Sequence, residues 1–143
     1  MFKVGSVFVP VTDLKKSKKW YEELLGVKLI DEWDGGAGFY FPDSPTQLGL
    51  VQVDKPQPSE FTIKGNKKNS YYNFLVKDID EAHSHFNRNN VKTSEIDEFG
   101  GMKFFDFFDP DGNPFSVVNE VEDSPFHRDE VKKLQEKHLS TQG

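Results

Sequence analysis

The sequence predicts an α+β protein made of two copies of a β-α-β-β-β unit, followed by a C-terminal helix. Three observations lead there. Val7, Val9 and Val11 alternate with Ser6, Phe8 and Pro10, and Tyr72, Phe74 and Val76 alternate with Tyr71, Asn73 and Leu75, the period of a strand with one packed face. Each alternation runs straight into a capped helical pattern. The order of features then repeats: Val11-Thr12-Asp13-Leu14 returns as Val76-Lys77-Asp78-Ile79, and Phe41 before Pro42-Asp43 returns as Phe108 before Asp109-Pro110-Asp111, at nearly one offset. A repeated unit of this size cannot cover both faces of its own sheet, so the two copies are expected to combine into one structure.

The first unit reads as a strand over residues 3–11 and then a helix capped by Thr12 or Asp13. That helix places Leu14, Ser17, Trp20, Tyr21, Leu24 and Leu25 on one face and stops at Gly26. Strands follow over 27–33, over 39–41 after the turn Gly35-Gly36-Ala37-Gly38, and over 47–53. Residues 54–69 are rich in Pro, Lys, Ser and Asn and read as a surface linker of limited flexibility. The second unit opens near residue 70. Asp78-Ile79-Asp80-Glu81 forms a capping box ahead of Ile79, Ala82 and Phe86, and strands are expected over 91–97, 102–108 and 114–121. The last two flank Asp109-Pro110-Asp111-Gly112-Asn113, where Pro and Gly supply the fixed and the positive φ of a tight reversal. One domain over 1–122 results, divided into a first module (1–53), the linker (54–69) and a second module (70–122). Residues 123–143 form a helical extension capped by Asp123 or Ser124 and carrying Phe126, Val131 and Leu134.

Composition narrows the function. The chain has 143 residues, enough for one domain with a real core. No cysteine is present, which removes disulfides, thiolate metal sites and cysteine nucleophiles. A net charge of −6 argues against nucleic acid as a partner. Lys15, Lys16, Lys18 and Lys19 cluster, but they alternate with Trp20 and Leu24 as a solvated helix face does. Neither a membrane span nor a signal peptide is expected, and the expected location is cytoplasmic.

The opening from Asp13 to Gly26, with its Asp-Leu, Trp-Tyr and Leu-Gly pairs, together with two β-α-β-β-β modules and Asp109-Pro110-Asp111-Gly112-Asn113 before the last strand, resembles the vicinal oxygen chelate superfamily. That superfamily includes glyoxalases, bleomycin-resistance proteins and extradiol dioxygenases. The resemblance covers residues 1–121. It implies a cupped mixed sheet with helices on the convex side, a ligand on the concave side and a homodimer. It also assigns metal ligands to four strand positions, which here fall on Ser6, Gly49, Tyr71 and Ser116. None is an imidazole or a carboxylate, and hydroxyls alone hold divalent ions poorly, so no metal and no other cofactor is expected.

Strand parity extends the reading without the family. Ser6 shares its face with Phe8, Tyr71 with Asn73, and Ser116 with Val118. Asp106 is expected on the same side, because burying it beneath a helix would cost several kcal/mol. Phe104 goes with it, and the repeat offset adds Phe39. The expected ligand-binding set is therefore Phe8, Phe39, Tyr71, Asn73, Phe104, Asp106 and Ser116, aromatic walls with one acid that suit a planar or cationic organic molecule. The alternative is that these rings fill a closed core and Asp106 reaches solvent at a strand end.

No catalytic residue is assigned, since parity sets no His or nucleophile beside Asp106. His83 and His85 lie two apart on a helix and face different ways; His127 and His138 carry no partner motif. Asp109 and Asp111 read as turn caps, and Gly35, Gly36 and Gly38 lack the context of a phosphate loop. The expected function is small-molecule binding without metal. The rivals are a metal-dependent glyoxalase-like lyase or dioxygenase-like enzyme drawing donors from Gln47, Asn73 or Glu120, and a structural module whose cup is filled by its own side chains.

Overall fold

The Asp13 carboxylate accepts the Lys16 amide at 3.1 Å and starts the first helix; Asp78 accepts the Glu81 amide at 3.0 Å and starts the second. Such caps contribute about 1 kcal/mol each by satisfying amides that have no partner within the helix. In the computed structural model, which describes residues 1–142, they sit at matching places in two similar units. The first comprises β1 (Ser6–Val11), α1 (Leu14–Leu25), β2 (Lys28–Trp33), β3 (Gly36–Phe41) and β4 (Ser44–Gln52). A hairpin follows, β5 (Glu60–Lys64) and β6 (Lys67–Ser70). The second unit comprises β7 (Asn73–Val76), α2 (Ile79–Arg88), β8 (Asp97–Phe99), β9 (Met102–Phe108) and β10 (Pro114–Asn119), and α3 (Arg128–Gln142) ends the described chain. The final residue of the expected extension, Gly143, lies outside the described residues.

The fold is α+β, with two four-stranded mixed sheets ordered β1-β4-β3-β2 and β7-β10-β9-β8 and the separate two-stranded sheet of β5 and β6. In each, the outer pair, β1 with β4 and β7 with β10, is parallel and the rest is antiparallel. Local departures from expectation have simple causes. Residues 60–70 pair as a hairpin although Lys and Asn dominate them, because Phe61 finds Tyr71 to stack on at 5.7 Å. β3 begins at Gly36, so the turn is confined to Asp34-Gly35. The strand expected over 91–97 shrinks to Asp97–Phe99, with Thr93 bridging Phe107 alone.

One core joins the two units. Val9, Val11, Phe39, Leu48 and Leu50 of the first sheet meet Phe105, Phe107, Phe115 and Val117 of the second, with Tyr21 and Phe86 brought in by the helices. Phe107 is the hub: Phe86 stacks on it at 4.2 Å, Phe115 at 5.3 Å and Trp20 at 6.3 Å. Burial of each such ring contributes roughly 1.5–3 kcal/mol. Polar pins fix the units in register. Asp111 Oδ2 accepts the Thr12 amide at 3.1 Å and its other oxygen accepts the Thr12 hydroxyl. The Asn113 side-chain Nδ2 donates to Pro10 O at 2.9 Å, and the Tyr72 hydroxyl to Phe8 O at 3.1 Å.

Candidate functional site

With inner strand faces committed to the core, the chemistry of the sheets lies on their outer faces. On the second sheet Ser116 stands opposite Asn73 on one side and Asp106 on the other, giving a polar row Asn73, Ser116, Asp106 across three strands. The next row is apolar, Leu75, Val118 and Phe104. Above them opens a cleft of about 520 Å³ whose lining includes Tyr71, Asn73, Phe104, Asp106 and Ser116. Five of the expected ligand-binding residues are thus brought together.

The hydrogen bonding within this cleft is incomplete. The Ser116 hydroxyl donates to Asp106 Oδ1 at 2.8 Å, and the Asp106 amide donates to Ser94 Oγ at 2.8 Å, which holds the strand in place. Among the described residues no cationic side chain pairs with Asp106, and the side-chain amide of Asn73 makes no hydrogen bond. Donors and acceptors left open in a concave, partly apolar site are the groups that fix a ligand's orientation. The β5–β6 hairpin adds Glu60, Lys68, Asn69 and Ser70 to the lining. The Lys68 ammonium lies 3.4 Å from Glu60 Oε2.

The other two expected residues are elsewhere. Phe39 is fully buried on the inner face, paired with Leu48, so its assignment to the cleft is corrected: it is a core residue. Phe8 is on the outer face of the first sheet, 54% exposed, where it lies over Gly49. Trp33 lies over Gly36 on the same face and is 49% exposed. A Cβ at Gly49 would fall 2.6 Å from the Phe8 ring, and one at Gly36 would fall 2.2 Å from the indole, so only glycine lets these rings lie flat. Sequence reasoning missed this aromatic shelf. Its signal was available: Gly36 and Gly38 alternate on one strand, and Gly49 pairs with Gly38 on the next.

Other candidates have structural partners. Asp109 accepts from the Asp111 and Asn113 amides, from the Asn113 side chain and from the Tyr21 hydroxyl, so it organises the turn. Burial is the main cause that lifts its carboxyl above the ordinary value, partly offset by these hydrogen bonds. His83 Nε2 donates to Ser94 O at 2.9 Å, and His85 Nε2 donates to Leu24 O at 2.8 Å, tying α2 to α1. The Glu120 carboxylate lies 3.8 Å from Arg128 and 3.9 Å from His127 at the start of α3.

The model of the Glyoxalase/Bleomycin resistance protein/Dioxygenase superfamily matches residues 3–117. The chain belongs to that superfamily. A stretch of 77 residues is 30% identical to a lactoylglutathione lyase of Schizosaccharomyces pombe, taking in 51% of this chain and 24% of that protein, so the match spans about a quarter of that relative. A superfamily member from Sphaerobacter thermophilus is 25% identical with a TM-score of 0.67, over 84% of this chain and 98% of its own. A lactoylglutathione lyase from Agrobacterium tumefaciens aligns with a TM-score of 0.62 over 82% and 92% of the two chains; at 18% identity that likeness is one of fold.

Ser6, Gly49, Tyr71 and Ser116 are the positions that the resemblance assigns to metal ligands. The four positions carry two serine hydroxyls, a phenol and a glycine without a side chain, a donor set that hard and borderline cations disfavour. Among the described residues no three His, Cys, Asp or Glu side chains come together as a metal site would need. No helix among them is long and apolar enough to cross a membrane.

Proposed function

We propose that this superfamily member binds a small planar organic cation in the cleft of the second sheet, without a metal ion. The observation that carries the reading is Asp106, a carboxylate on the floor of an aromatic-walled cleft with only the Ser116 hydroxyl bonded to its side chain. An organic cation there gains the carboxylate's attraction and contact with the faces of Phe104 and Tyr71. Asn73 at the other end of the polar row offers both a donor and an acceptor to set orientation.

The test is thermal stabilisation by benzylammonium against benzyl alcohol, which share a ring and differ in charge. A ligand of the native state raises its melting temperature in proportion to its affinity. Benzylammonium should stabilise the wild type more than benzyl alcohol does, and Asp106→Asn should remove that difference. Equal stabilisation by both, or indifference to Asp106→Asn, would sink the assignment. Stabilisation by Zn²⁺, Ni²⁺, Mn²⁺ or Fe²⁺ would instead support a glyoxalase-like lyase, the reading that the similarity to lactoylglutathione lyase favours.

The proposal includes a homodimer. Phe8, Trp33 and Tyr40, each about half exposed on the first sheet, form the kind of aromatic patch that a second copy would cover. Sedimentation equilibrium of the wild type and of Trp33→Ser checks this: a dimer weakened by the substitution agrees, and a monomeric wild type does not.

A further inference from the structure

We infer that the β5–β6 hairpin sets the charge preference of the cleft through Glu60 and Lys68. This rests on the binding role proposed above and adds the element that selects among ligands. Glu60 pairs with Ser70 and Thr62 with Lys68, so Glu60 and Lys68 are diagonal neighbours on one face of the hairpin, and both line the cleft. The Glu60 side chain is held there with 19% exposure, whereas that of Lys68 is 58% exposed and can swing.

The hairpin's base is fixed to the sheet that carries the polar row. Ser59, itself buried, donates from its hydroxyl to Pro114 O at 3.1 Å, and the Tyr71 amide donates to Ser59 O at 3.1 Å. Phe61 stacking on Tyr71 adds a third attachment. The two charges are therefore stationed beside the cleft. Three charged side chains line it, the acids Glu60 and Asp106 and the base Lys68. Glu60 occupies Lys68, and the charge of Asp106 is left for a cationic guest. Removing Glu60 frees Lys68 to oppose that guest; removing Lys68 leaves two acids to welcome it.

The experiment uses the full chain at low salt, with benzylammonium, benzyl alcohol and benzoate as probes in thermal shift. Glu60→Gln should weaken benzylammonium and strengthen benzoate, and Lys68→Gln should do the reverse, each by roughly three- to tenfold, with the contrast shrinking as salt is added. Benzyl alcohol should hardly respond. A hairpin that merely supports the fold would shift all three probes in the same direction in both variants, and that outcome, or unchanged ratios, overturns the inference. If benzylammonium binds the wild type through Asp106 while neither variant alters its ratio to benzoate, the hairpin inference falls and the binding role stands. If the wild type binds none of the three, both fall.

Discussion

The Tyr21 hydroxyl donates to Asp109 Oδ2 at 2.6 Å, joining the helix of the first unit to the turn of the second. Both residues are buried, Tyr21 fully and Asp109 nearly so, and Tyr21 also packs edge-on against Phe115. The pair is a seam between the two copies. Tyr21→Phe keeps the ring and withdraws one of the four donors that Asp109 accepts. The expected loss is about 1–3 kcal/mol, the cost of leaving a buried acceptor under-bonded. Denaturant unfolding of the variant measures it, and a change near zero would mean that water replaces the hydroxyl.

The same seam gives stability a pH dependence. Burial raises the Asp109 carboxyl above its ordinary 3.8, so the folded protein keeps that proton to higher pH than the unfolded chain does. Below 3.8 the group is neutral in both states and costs nothing. Its contribution is then lost as pH rises through the raised value, because folding must carry a buried charge. Asp109→Asn cannot ionise. The stability of this variant relative to wild type should therefore climb from pH 3.5 towards neutrality, and a flat or falling difference curve would contradict the assignment.

The shelf on the first sheet depends on glycine. Gly49→Ala would press a Cβ into the Phe8 ring and is expected to cost about 0.5–1.5 kcal/mol, that of forcing this half-exposed ring out of its favoured rotamer. Combined with Phe8→Ala the penalty should largely vanish, since the obstructing ring is gone. A double-mutant cycle showing no coupling between the two positions would place the ring away from the backbone in solution.

Phe39 and Phe104 separate core from cleft. Phe39→Ala should cost about 3–5 kcal/mol, as expected for removing a fully buried ring. Phe104→Ala, at a partly buried position lining the cleft, should cost no more than ~2 kcal/mol yet weaken benzylammonium. Reversal of these two results in unfolding and thermal-shift assays would restore Phe39 to the site and remove Phe104 from it.

Phe39 turns inward although the repeat offset predicts the cleft. The offset runs across the turns of the two units, and those turns differ. Phe41 pairs with Ser44 across Pro42-Asp43, whereas Phe108 pairs with Pro114 across the longer Asp109–Asn113 loop. A strand alternates with period two, so an error of one residue exchanges core for surface. Asp106 escaped this, because its own charge excludes it from the core. The hairpin over 60–70 is hidden for a related reason: its alternating Phe61 and Ile63 are each about half exposed, amid lysines, and the stacking partner Tyr71 comes from the bend between β6 and β7.

Local patterns were enough for the duplicated plan, the cap at Asp78, the turn built on Asp109, the inward set Val9, Val11, Phe105 and Phe107, and the polar row of Asn73, Ser116 and Asp106, whereas the choice of Asp13 over Thr12 as the first cap needed the structure. Each of these follows from neighbours along the chain, or from the cost of burying a charge. Contacts between distant segments needed the folded molecule: the separation into two sheets, the flat seating of Phe8 and Trp33 on glycine, the Tyr21–Asp109 seam, and the arrival of Glu60 and Lys68 beside the cleft. Periodicity reports which side a residue takes, and it carries no information about which remote residue waits there.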